Sequence, residues 1–93
     1  MGDEECLALS SMFRSLSDPV RVRIVEMLGR GPLYVCIIQY LLDDIKYSRL
    51  SYHLDILRTE GIVDSNREGN FLRYSLTPWG KALSKKIMGL KRP

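Results

Sequence analysis

At Gly61 the hydrophobic period of this chain changes from about 3.6 residues to 2, and nothing else in the sequence restricts the fold so strongly. Upstream, Leu50, His53, Leu54 and Leu57 recur at i, i+3, i+4 and i+7, one face of an amphipathic helix. Arg49, Ser51, Tyr52, Asp55 and Arg58 fall on the opposite side. Gly61 is suited to end that helix, because a C-terminal cap commonly needs positive φ. Downstream, Ile62, Val63, Asp64 and Ser65 lead into Asn66-Arg67-Glu68-Gly69-Asn70, and Phe71 to Leu76 reads as a second strand. Gly69 supplies the turn conformation that joins two such strands. A helix that feeds directly into a hairpin leaves few architectures open.

Four further segments complete the pattern. Leu9, Met12, Phe13 and Leu16 form a helical stripe near the N-terminus. Ser17-Asp18-Pro19 breaks it, with Asp18 as the N-cap and Pro19 as the first residue of a second helix. That helix runs on through Val20, Ile24, Met27 and Leu28, has Arg21, Arg23 and Glu26 at its exposed positions, and stops at Gly29-Arg30-Gly31-Pro32. A short, mostly buried third helix is expected over about 35–42, and Asp43-Asp44 either ends it or caps the next. Thr77-Pro78 restarts a helix striped by Trp79, Leu83, Ile87 and Leu90. The fold class is mainly α with a β-hairpin wing, a winged helix-turn-helix. It is expected to be one domain, 1–93, with terminal dimerisation helices at about 4–16 and 78–90.

Composition removes other classes. Ninety-three residues support a single core. The longest apolar run, 33–42, is interrupted by Gln39 and is far shorter than the roughly 20 residues of a membrane span, so no membrane partner is expected. The acidic opening, Asp3-Glu4-Glu5, reads as neither a signal peptide nor, with Cys6 where Ser or Thr belongs, a myristoylation site. Two cysteines cannot staple a fold, and a cytoplasmic location is expected. The net charge is +3, with Lys81, Lys85, Lys86, Lys91 and Arg92 gathered at the C-terminal end. Those bases suit either phosphate contact or a helix dipole. Enzyme chemistry is not expected. There is one histidine, Gly29 and Gly31 do not build a phosphate loop, and Asp43-Asp44 reads as a solvated turn rather than a cation site. No cofactor is implied.

Three motifs carry a family likeness. Leu16-Ser17-Asp18-Pro19-Val20-Arg21-Val22-Arg23-Ile24-Val25 resembles the opening of the ArsR/SmtB-type winged-helix repressors. The run Leu50-Ser51-Tyr52-His53-Leu54-Asp55-Ile56-Leu57-Arg58-Thr59-Glu60-Gly61-Ile62-Val63 resembles their recognition helix. Arg67-Glu68-Gly69-Asn70-Phe71-Leu72-Arg73-Tyr74-Ser75-Leu76 resembles their wing. The likeness covers about residues 13–77, with the motifs in the family's order. It implies a homodimeric DNA-binding transcriptional regulator, usually a repressor, dimerised through its first and last helices. The usual metal ligands are missing. Tyr34 stands at the first position of the family's C-x-C and only Cys36 remains, while 77–93 contains neither Asp nor His. Metal ligands are therefore expected to be none. Lys46 also occupies the place of the usual Ser or Thr cap, which shifts the expected cap to Asp43 or Asp44.

In a helix-turn-helix the outward N-terminal residues of the second helix face base edges, which here selects Tyr47, Ser48, Arg49, Ser51 and Tyr52. Arg49 is the base reader, since a guanidinium pairs bidentately with guanine. Arg67, Asn70 and Arg73 are the wing's candidates for double-stranded DNA. The helix 47–60 and the wing 62–76 would then read a pseudo-palindromic operator. Leu9, Met12, Phe13, Trp79, Leu83, Ile87 and Leu90 are the candidate seam of a homodimer. His53 lies on the apolar stripe, where a structural histidine competes with a ligand or DNA contact. Cys36 reads as a small core residue and Cys6 as exposed, with a redox or arsenite sensor built from the pair as the alternative. A winged-helix protein-interaction module without DNA contact is the other alternative.

Overall fold

The computed structural model describes residues 1–90, so Lys91 and Arg92 of the basic end lie outside the described residues. Five helices and three strands follow in order: α1 (Asp3–Ser15), α2 (Pro19–Leu28), β1 (Leu33–Tyr34), α3 (Val35–Leu41), α4 (Tyr47–Thr59), β2 (Val63–Glu68), β3 (Phe71–Leu76) and α5 (Pro78–Met88). The strands make one antiparallel sheet in the order β1-β3-β2. Ile24, Val25, Leu28, Ile38, Leu50, Leu54, Leu57, Ile62 and Val63 fill the centre of the core.

Local chemistry explains most boundaries. Asp18 caps α2 by accepting from the Val20 N–H at 2.8 Å, ahead of Pro19. Thr77 caps α5 by accepting from the Gly80 N–H at 2.9 Å. At the end of α4, Gly61 takes φ 79°, its N–H reaches the Arg58 carbonyl and the Ile62 N–H reaches the Leu57 carbonyl at 2.9 Å. That is a Schellman closure, and it aims the chain into β2. Gly69 at φ 62° and Asn70 then form a two-residue turn, with Glu68 opposite Phe71.

Three expectations need correction, and one strand lies beyond them. The third helix is not mostly buried: in its seven residues only Ile38 is buried, and Cys36, Ile37, Tyr40 and Leu41 are exposed. So short a helix covers the core with one turn's width. Leu33 and Tyr34 form β1 against Tyr74 and Arg73, a pairing that two residues are too few to announce by period. Arg21 is buried, because Ser15 and His53 supply acceptors for it inside the fold. Asp43 and Asp44 do not cap α4. Both adopt the left-handed region, φ 57° and 56°, and the N-cap is Lys46 with no side-chain cap bond.

Candidate nucleic-acid interface

The turn between α3 and α4 is set by Gln39. Its side-chain amide donates to the Ile45 carbonyl at 2.8 Å, and its own carbonyl accepts from the Asp44 N–H at 3.0 Å. Asp44 tolerates the left-handed conformation this turn demands, since a short polar side chain costs less there than most. The turn docks α4 with Leu50, His53, Leu54 and Leu57 buried. The opposite face is thereby committed to solvent: Tyr47, Ser48, Arg49 and Tyr52 are exposed and Ser51 is half-buried. All five stand together on the N-terminal half of one helix.

In the wing, Arg67 and Asn70 are exposed, and Arg67 has no ion pair among the described residues. Arg73 differs. Its Nη1 donates to Glu68 Oε1 at 2.8 Å, while Glu68 Oε2 accepts from the Tyr34 hydroxyl at 2.8 Å. The Arg73 and Tyr34 hydrogen bonds hold the Glu68 carboxyl below its ordinary value, and the same carboxylate pushes the Tyr34 phenol up. Tyr34 also meets Phe71 edge-on, ring centroids 5.7 Å apart. Arg73 therefore carries its own counter-ion. Glu68 and Tyr34 escaped sequence reasoning, yet a two-residue turn makes Glu68 the diagonal neighbour of Arg73, which register alone could have shown.

The terminal helices enclose an apolar groove of about 530 Å³, lined by Met12, Phe13 and Leu16 of the N-terminal region, Val22 of α2, and Trp79, Ala82, Leu83, Lys86, Ile87 and Leu90 of the C-terminal region. It gathers six of the seven candidate seam residues; Leu9 packs against the core beside it. Phe13 is 63% and Leu90 78% exposed, and Trp79 is also exposed. Met12 and Leu83, at 7%, belong to the core as much as to the groove. Cys6 and Cys36 are both free and exposed. The core reading of Cys36 is thus overturned, because α3 turns that side chain outward. Among the described residues of one chain, no three His, Cys, Asp or Glu side chains converge as metal ligands, and no helix is long and apolar enough to cross a membrane.

A tri-helical core, a helix-turn-helix with a polar outward face, and a hairpin wing define a winged-helix DNA-binding transcriptional regulator. The family model described as "Bacterial regulatory protein, arsR family" matches residues 18–65. The chain is 32% identical over 68 residues to the transcriptional repressor SdpR of Bacillus subtilis (strain 168), covering 73% of this chain and 74% of that protein. It is 33% identical over 78 residues to the arsenical resistance operon repressor of Escherichia coli (strain K12), covering 83% of this chain and 66% of that one. The crystal structure of the transcriptional repressor BigR from Xylella fastidiosa superposes with a TM-score of 0.82 at 26% identity, over 100% of this chain and 99% of that chain. This chain belongs to the arsR family of bacterial regulatory proteins, a family of transcriptional regulators rather than enzymes.

Proposed function

We infer that the protein is a sequence-specific homodimeric repressor, a single domain over 1–93 whose terminal helices form the dimer seam and whose α4 lies in the major groove of a pseudo-palindromic operator. The observation that carries the reading is the outward face of α4, where Tyr47, Ser48, Arg49 and Tyr52 are exposed while the same helix buries its whole apolar stripe. A protein-interaction module would tend to bury apolar residues on that face, which here sets Ser48, Arg49 and Ser51 beside its two tyrosines. Arg49 is the base reader, Ser48, Ser51 and the two tyrosines supply hydroxyls, and Arg67, Asn70 and Arg73 meet the backbone or the minor groove. A two-fold dimer places two such helices about 34 Å apart. The groove of α1 and α5 is the seam, since Phe13, Trp79 and Leu90 line an apolar groove and stay exposed in the single chain. The deciding experiment is a gel shift with the DNA upstream of the protein's own gene, competed by random duplex. A retarded band that random DNA removes as easily as cognate DNA would sink sequence-specific binding.

The exposure of both thiols supports a second reading, in which Cys6 and Cys36 make the repressor responsive to oxidant or arsenite. Release of DNA by either agent, lost in Cys36→Ser, is the result that reading requires.

A further inference from the structure

From α2, Arg21 reaches two neighbouring helices. Its Nε donates at 2.5 Å to the carbonyl of Ser15, the last residue of α1. Its Nη1 lies 2.9 Å from Nδ1 of His53, on the inner face of α4. A guanidinium only donates, so Nδ1 is the acceptor and the one ring proton of the neutral imidazole sits on Nε2. Nε2 is buried without a hydrogen-bond partner among the described residues, and His53 as a whole is 3% exposed. A ring packed this way has its hydrogen bonding committed to a single link. A second tie joins the same two helices: the hydroxyls of Ser11 and Ser15 donate to Glu60 Oε2 at 3.1 and 3.4 Å. Helix α1 is therefore fastened to the middle of α4 through Arg21 and to its end through Glu60. It also carries Phe13 of the apolar groove, while Arg49 and Tyr52 flank His53 on α4, and the Tyr52 ring meets the imidazole edge-on at 5.5 Å.

We propose that Arg21 and His53 are a positioning pair that holds the recognition helix in register with α1, and that proton uptake by His53 releases it, so DNA affinity falls on mild acidification. The proposal rests on α4 being the helix that reads DNA. In the step, an N–H bond forms at Nδ1 with a proton from solvent, and the Arg21 N–H···Nδ1 bond is lost because both partners are then donors. Imidazolium and guanidinium are also like charges in a dry site. The charged groups around the ring are Asp18 and Arg21 from α2 and Arg49 from α4, and α1 brings the neutral Ser15 carbonyl to Arg21. Asp18 favours the imidazolium, but its carboxylate already serves the Val20 N–H. Burial, joined by Arg21 and Arg49 against the opposing pull of Asp18, holds the imidazole below its ordinary value. At neutral pH the ring is uncharged and the link is closed.

The test uses the full chain and a duplex that it has itself selected from a random-sequence pool at pH 7.5. Affinity is read by fluorescence anisotropy at pH 7.5 and 5.5 at constant ionic strength, with circular dichroism confirming the fold. His53→Asn is the control, because the Asn carbonyl can take the place of Nδ1 as acceptor and does not titrate. The unaltered protein is expected to lose more affinity than His53→Asn on acidification, by less than about tenfold, since an imidazole held below its ordinary value is only partly protonated at pH 5.5. Equal losses in the two proteins would overturn the proposal. If His53→Asn does not fold, an NMR titration of the unaltered protein decides. The amide signals of Ser15, Arg49 and Tyr52 should move with the same midpoint as the His53 ring, and signals that stay fixed while the ring titrates overturn it. A pool that yields no selected DNA refutes the role of α4 instead, and the NMR titration still reads the link without DNA.

Discussion

Arg49 projects from the exposed side of α4, one residue before buried Leu50, so its removal takes nothing from the core. Arg49→Ala should therefore cost about 1–3 kcal/mol on the cognate duplex and relax its specificity, with little change in melting temperature. An unchanged cognate-to-random affinity ratio would show that α4 docks otherwise. Gly80 makes the opposite case. A Cβ there would collide with the backbone carbonyl of Ile62, which no side-chain rotation relieves. Gly80→Ala should destabilise by about 1–3 kcal/mol or more, read as a lower urea midpoint, without touching the DNA face. His53 sets a pH window for stability. Its folded pKa lies below the ordinary 6.5, so between the two values the unfolded chain binds more protons. Stability is therefore full above about 6.5 and declines as pH falls toward the folded value. Urea midpoints at stepped pH should show this decline, and it should be shallower in His53→Asn. Asp18 and Glu68, whose carboxyls are held low, lose their contributions in a more acidic range.

The wing and the third helix show what an element's neighbours add to its own pattern. Arg67 and Arg73 look equivalent in sequence, two bases flanking one turn. The sheet separates them, because Glu68, itself bound by the Tyr34 hydroxyl, engages Arg73, while Arg67 has no ion pair among the described residues. Arg67→Ala should thus weaken binding to all duplexes and reduce the salt slope by about one, while Arg73→Ala reduces it less. Glu68→Gln should strengthen binding to random and cognate DNA alike. Anisotropy titrations across a salt series check all three, and a smaller slope change in Arg67→Ala than in Arg73→Ala would reverse the assignment. The hairpin, both proline-led helices and the end of α4 were legible because their signals are local: Asp18-Pro19, Thr77-Pro78, Gly61 and Gly69 each act within a few residues. In the third helix apolar content does not mean burial. Ile37, Tyr40 and Leu41 are apolar and exposed, since seven residues offer the core one narrow face.

For the whole molecule, the proposed dimer is tested where the groove is open. Phe13→Glu is the informative variant, because Phe13 is exposed and Leu83 is part of the core, so Leu83→Glu would confound dissociation with unfolding. Sedimentation at micromolar concentration should give twice the chain mass for the native protein and the single mass for Phe13→Glu, with DNA affinity lost together. A native monomer would remove the seam. Zinc should not release DNA: tight sites need about four converging ligands, and Tyr34 replaces a thiolate that the family's C-x-C would supply. Titration of the operator complex with zinc and with arsenite distinguishes a metal response from a thiol response, and release at stoichiometric zinc contradicts the expectation.

The order of the five helices and the two hairpin strands, the helix-turn-helix and the outward residues of α4 can be read from the residues themselves, whereas β1 cannot. Period, caps and turn glycines are short-range physics, and the chain states them wherever they occur. What required the tertiary structure were the pairings between distant residues. Arg21 has the spacing of a surface base, and it is buried because Ser15 and His53, from α1 and α4, accept its hydrogen bonds. The second bond on the carboxylate that pairs with Arg73 exists only because β1 brings the Tyr34 hydroxyl to Glu68. A charged side chain's burial and its availability depend on which partners the fold delivers, and a linear pattern contains no information about groups 32 residues away until packing places them within hydrogen-bond reach.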